Sequence, residues 1–123
     1  MKKVIDIQIG GDYYKKMPFQ PVTLFAKTHC TAFQANIWKY ISRYKFKNGK
    51  EDIEKCMHYA KLAKELKCEG HIGIRKIRMV NVFCYVNKFS EDVSRIVMSA
   101  GFDRYDDVIK GCELLLQKEY SAK

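Results

Sequence analysis

Apolar positions recur along most of this chain at intervals of three and four, the spacing of one face of an α-helix. Phe33, Ile37, Tyr40, Ile41 and Tyr44 follow that spacing and predict a helix from Thr31 to Tyr44. Lys47-Asn48-Gly49-Lys50 stops it, with Asn48 or Gly49 able to turn left-handed. Glu51 and Asp52 then open a helix at its positive end. Its apolar stripe of Ile53, Cys56, Met57, Ala60 and Ala63 carries it to about Lys67. The short link makes the two helices an antiparallel hairpin.

The same reading covers the rest of the chain. Val4, Ile5, Ile7 and Ile9 form a short apolar segment ending at Gly10-Gly11, able to extend but too little to make a sheet. Residues 12–16 form a turn or ordered arm, and Pro21 suits the first turn of a helix running to about His29. Residues 70–76 break the pattern. Residues 77–88 read as a helix, although Val80, Val82, Phe83, Tyr85 and Val86 also suit a strand. Ser90 caps a helix that ends at Gly101, and Asp103 is expected to cap a last helix from about Arg104 to Glu119. The expected fold is mainly all-α: a small helical domain around an antiparallel helix hairpin, with a short extended N-terminal segment. It forms one domain over 1–123, with the hairpin region at 12–63 and a helical C-terminal part at 70–123.

Composition adds a charge. The chain has 123 residues, 47% of them hydrophobic, enough for one core. Lys and Arg total 23 against 14 acidic residues, a net charge of +9. That excess attracts anions and favours nucleotides, nucleic acid or an acidic protein as partner. The five cysteines are widely spaced with no CxxC pair, so neither a disulfide framework nor a zinc finger is expected. Cys56, Cys84 and Cys112 read as small core residues. His29, His58 and His71 lack metal-ligand spacing, and a Cys30–His58 nucleophile pair has no support beyond its residue types. No run of 18 apolar residues spans a membrane and no secretory signal opens the chain, so a soluble, cytoplasmic protein is expected.

The candidate chemistry converges on the hairpin. Asn36, Lys39 and Arg43 share one polar stripe, and Asp52, Lys55 and Tyr59 repeat the same spacing on the antiparallel helix. Two cations, an amide and a phenol suit a phosphate and a ring. The same residues also suit a solvated face with salt bridges such as Lys39 or Arg43 to Asp52. Trp38 falls off the apolar stripe and is expected to be exposed, as a subunit contact or a stacking platform. Arg75-Lys76-Ile77-Arg78 is a short basic run suited to phosphates or to solvent.

These residues carry a resemblance. Asn36, Lys39-Tyr40, Arg43, the Lys47-Asn48-Gly49 turn, and Asp52, Lys55 and Tyr59 resemble the pattern of the SaV-like family of small bacteriophage proteins. Ile53 stands for that family's Leu and Cys56 for its Ala. Asp12-Tyr13-Tyr14 resembles its His-Tyr element with the His replaced. Some phage proteins with this domain are described as nucleoside monophosphate kinases. The resemblance thus implies a phage or prophage nucleotide-binding protein with Asn36, Lys39, Arg43, Lys47, Lys55, Tyr59, Tyr13 and Tyr14 at the ligand. A kinase would add Mg2+ with ATP and a catalytic Asp52. There is, however, no GxxxxGK[ST] loop, because Glu51 follows Gly49-Lys50. A nucleotide-sequestering protein uses the same groove without catalysis. A nucleic-acid-binding or host-protein-binding regulatory module is the alternative. A homo-oligomer in the bacterial host cell is also expected, with Trp38 at the interface.

Overall fold

In a computed structural model, Lys3, Tyr14 and residues 16–121 are described. The apolar segment at 4–9, Asp12 and Tyr13 lie outside them. Six helices occur among the described residues: α1 Pro21–Thr28, α2 Ala32–Arg43, α3 Lys50–Glu65, α4 Ile74–Val86, α5 Glu91–Gly101 and α6 Tyr105–Tyr120. No strand occurs among them, so the all-α expectation holds.

Local chemistry sets most of the boundaries. Thr31 forms a capping box: its hydroxyl accepts from the Gln34 N–H (3.1 Å), and Gln34 Oε1 accepts from the Thr31 N–H (3.0 Å). Ser90 caps α5 through Val93 (3.2 Å). Gly49 makes the α2–α3 turn with φ +53°, and its N–H closes onto the Tyr44 carbonyl at 2.9 Å. Left-handed backbone favours glycine there.

α2 and α3 pack as the expected hairpin, and α3 to α6, α6 to α5 and α5 back to α2 close a four-helix ring. α4 lies on α5 and is joined to α2 through α1. The core inside holds Ile37, Ile41, Ile53, Phe83, Ile96 and Val108, all essentially inaccessible to solvent. Cys56, Cys84 and Cys112 are buried free thiols, as their apolar neighbours predicted. The Sγ atoms of Cys56 and Cys112 lie 3.6 Å apart across α3 and α6. Burial pushes both the Cys56 thiol and the Cys84 thiol up, the latter to about 11.

Three expectations are corrected. Trp38 is 0% exposed: it stacks on Phe25, and its indole N–H donates to the Val97 carbonyl at 2.9 Å. Because α2 packs against α1, α3 and α5, more than one stripe of it is covered. Asp103 does not cap α6; Arg104 takes the N-cap position without a side-chain bond. Helix α4 begins three residues before the expected Ile77, which places Arg75 and Lys76 in its first turn.

That early start has a cause. Cations at a helix N-terminus oppose the dipole, but Lys76 is 4% exposed and donates from Nζ to Gln34 Oε1 and the His71 carbonyl, both at 2.9 Å. Gln34 Nε2 donates in turn to the Ala100 carbonyl (3.0 Å) and Asp103 Oδ1 (2.9 Å). Asp103 also accepts from the Gly70 N–H and the Tyr105 hydroxyl, both at 2.9 Å. One buried polar cluster therefore pins the α3–α4 loop, the foot of α4 and the α5–α6 turn to α2. Gly70 lies so close that a Cβ there would stand 2.8 Å from Gln34 Oε1. Burial lowers the Lys76 pKa although Asp103 supports the charge, and burial with the Asp103 bond raises that of Tyr105.

Candidate functional site on the helix hairpin

The hairpin presents an aromatic pair with cations around it. Tyr40 of α2 and Tyr59 of α3 lie nearly parallel, 12° apart, with ring centroids at 5.8 Å. They meet because the antiparallel hairpin sets the middle of α2 beside the middle of α3. Lys39 Nζ stands 5.3 Å from the Tyr40 centroid, Lys55 Nζ 5.4 Å, and the Arg43 guanidinium carbon 4.7 Å. Ring faces attract cations, so Tyr40 gathers all three. His58 meets Tyr59 edge-on at 6.2 Å from the exposed side of α3.

The three cations differ in what else holds them. Arg43 is buried and forks onto Asp52: Nη2 donates to Oδ1 (3.2 Å) and Nε to Oδ2 (3.3 Å). The Asn48 N–H also donates to Asp52 Oδ2 at 3.2 Å. Burial opposes the Arg43 charge, but its bond to Asp52 and the nearby Tyr14 hydroxyl outweigh that and raise its pKa. Asp52 is 0% exposed. The pair thus locks the α2 end to the α3 start, as the salt-bridge reading of the stripe allowed. Lys55 is half-exposed and pairs only loosely with Glu51, one turn back at 3.5 Å. An exposed pair of that kind is worth about 0–1 kcal/mol. Lys39, also half-exposed, rests its ammonium group on the Tyr40 ring.

The remaining site residues fall around this centre. Asn36 lies on the same stripe, but its amide donates to the Ala32 carbonyl one turn back (2.9 Å). Lys47 is exposed on the α2–α3 turn. Tyr13 lies outside the described residues. Tyr40 carried no role in the sequence reading because it counted toward the apolar face; its place directly after Lys39, one turn before Arg43, was the available signal.

The hairpin and its tyrosine pair lie within α2 and α3, and a family match falls on much the same stretch of chain. Residues 12–61 match a family described as of unknown function, DUF3310. The match takes in α1, α2, the turn and most of α3, and so all of Lys39, Tyr40, Arg43, Asp52, Lys55 and Tyr59. It nearly coincides with the span of the SaV-like resemblance and is consistent with a small uncharacterised family. No curated protein and no solved structure matches the chain. Among the described residues, no helix is long and apolar enough to cross a membrane, and no group of three His, Cys, Asp or Glu side chains is placed to hold a metal ion.

Proposed function

We propose that the hairpin is a recognition surface for a phosphate-bearing ligand, read as a nucleotide, in a phage or prophage protein. The observation that carries this is the pair of half-exposed lysines, Lys39 and Lys55, gathered on one stacked tyrosine pair. The ammonium groups supply charge-assisted donors to phosphate oxygens, and the tyrosines supply ring surface to a base. The SaV-like resemblance supports the nucleotide and the phage setting, since it rests on these same residues.

Catalysis forms no part of this reading. The kinase expectation depended on Asp52 to hold Mg2+, and both Asp52 oxygens are engaged inside the fold by Arg43 and Asn48. The reading therefore stands closer to sequestration or sensing of a nucleotide. Calorimetric titration with AMP and with ATP tests it. Lys39→Ala and Lys55→Ala should each weaken binding, and unchanged affinity in both variants would remove the hairpin from the account.

Nucleic acid is the second reading, favoured by Arg75 and Arg78, both exposed on the first half of α4. Salt separates the two. Affinity that falls steeply as salt rises reports many released counterions and an extended polyanion; a single nucleotide depends on salt less.

A further inference from the structure

A cavity of about 530 Å³ opens between the strap Lys16–Pro18, the end of α2 and the α4–α5 turn. None of Lys39, Tyr40, Lys55 or Tyr59 lines it. Its walls are fixed by their own bonds. The Asn87 side chain clamps the strap from both sides: Oδ1 accepts from the Phe19 N–H (3.2 Å) and Nδ2 donates to the Phe19 carbonyl (2.8 Å). Phe19 meets Phe83 edge-on at 5.3 Å, and Phe83 meets Phe89 edge-on at 5.4 Å. Strap and turn are thereby held at a set separation, and the space between them is preformed.

The lining has two characters. Met17, Ile41, Phe89 and Val93 give an apolar surface, and Phe46, 64% exposed, adds an aromatic ring at the open side. Among the described residues, every ionisable group with a full charge in the lining is a lysine, Lys16, Lys45 and Lys88, and no carboxylate lines it. Asp92, in the first turn of the adjoining α5, pairs instead with Lys118 at 3.0 Å and Arg95 at 3.8 Å. Tyr44 lines the cavity too, with its hydroxyl donated to Glu119 at 2.8 Å. Small-molecule sites are concave, mostly apolar and about 300–1,000 Å³, with a few polar groups that choose the ligand. Here the charged groups among the described residues are all cationic, beside the neutral Ser42, Asn87 and Ser90.

We propose that this cleft binds a small amphiphilic anion: an apolar body on Ile41, Phe89 and Val93, with a carboxylate or phosphate head at the lysine rim. The proposal is independent of the hairpin reading, because it uses other residues on another face of α2. A neutral molecule with the same body forfeits the charge-assisted bonds and binds less well.

Displacement of the fluorescent probe 1-anilinonaphthalene-8-sulfonate tests this, with decanoate, decyl phosphate and decanol as competitors sharing one body. Both anions should displace the probe with affinity about tenfold or more above that of decanol. The stronger of the two names the head group. The double variant Lys45→Glu, Lys88→Asn should lose that advantage while decanol competes as before. Asn suits position 88, where φ is +55°. Lys110→Glu, on the exposed face of α6, should change nothing. Decanol equal to the anions, full anion affinity in the double variant, or an equal loss in Lys110→Glu would each overturn the proposal. If the double variant does not fold, amide shifts of the wild type with decyl phosphate decide: movement at Ile41, Phe89 and Val93 supports the cleft, and its absence rejects it.

Discussion

Two polar regions sit on α2, one at its N-terminal end and one along its middle, and are made of similar parts. At the N-terminal end, Gln34, Lys76, Asp103 and Tyr105 supply an amide, a cation, an acid and a phenol. Along the middle, Asn36, Lys39, Lys55, Tyr40 and Tyr59 supply an amide, cations and phenol rings. The first region is closed. Gln34 is 0% exposed and its side chain makes bonds to Thr31, Lys76, Ala100 and Asp103. The second is open, and its lysines rest on a ring, with only the exposed Glu51 carboxylate beside Lys55. Enclosed polar groups with reciprocal partners specify a fold, since each would cost free energy if left alone. Half-exposed cations held on a ring remain able to meet an incoming anion. Arg43 and Asp52 stand between these cases: they lie in the polar stripe of the hairpin, yet their pairing is that of the closed region.

The largest effect expected from this contrast comes from Gln34→Ala. It removes one of the two bonds made by the Lys76 ammonium group, one of those made to the Asp103 carboxylate, and the donor to the Ala100 carbonyl. Each buried polar group left unsatisfied costs about 1–3 kcal/mol, more when charged, so about 3–5 kcal/mol of stability should go. Urea denaturation measures it; a loss below about 1 kcal/mol would show that the cluster is not structural. Arg43→Ala should follow at about 3 kcal/mol, because removing one partner of a buried pair leaves the other uncompensated. If Arg43→Ala instead keeps its stability and loses ligand affinity, Arg43 belongs with the open region.

The open region should behave in the reverse way. Lys39→Ala and Lys55→Ala should shift stability by no more than about 0.5 kcal/mol, as surface changes do. Each should lose about 1.5–3 kcal/mol of binding, roughly 10- to 100-fold in affinity. A variant that unfolds without losing affinity would erase the distinction.

The smallest effect is one of pH. Tyr105 donates to Asp103 and Tyr44 to Glu119, and burial followed by these bonds raises both pKa values above 10.0. The folded state then holds protons that the unfolded state releases. The stability from these groups is full below pH 10.0 and declines as pH rises further. Lys76 acts in the opposite direction, since its pKa is lowered and the unfolded chain binds its proton more tightly below 10.5. The thiols of Cys30, Cys56 and Cys84, raised above 9.0 by burial, act in the same direction as the tyrosines, so alkali should bring a net loss. Tyr105→Phe should be less stable at neutral pH and less sensitive to alkali; an unchanged slope above pH 10.0 would contradict the assignment.

The open region was far more legible in the sequence than the closed one. Thr31, Ser90 and the Lys47-Asn48-Gly49 turn announce their helix ends through neighbours a few residues away, and the hairpin with its stripe followed from spacing alone. The bonds that tie the closed cluster across the fold join distant residues, 42 positions apart for Lys76 to Gln34 and 69 for Gln34 to Asp103. No local pattern foretells such bonds. Asp103 accordingly read as a cap, and residues 70–76 as a break that ran into what is the first turn of α4. Trp38 was misplaced for a related reason: a stripe test assumes one buried face, and α2 is covered by three helices. The expectation of self-association rested on Trp38 together with the aromatic-rich hairpin, and the burial of Trp38 takes away the first of these supports.

The central claim is that phosphate-bearing ligands are received at the Tyr40–Tyr59 pair. Amide chemical shifts followed during titration with ATP test it most directly, because they show where the ligand sits as well as whether it binds. The account predicts saturable shifts centred on Lys39, Tyr40, Lys55 and Tyr59, with Gln34, Lys76 and Asp103 unmoved. Saturable shifts confined to other residues, or none at millimolar ATP, would contradict it.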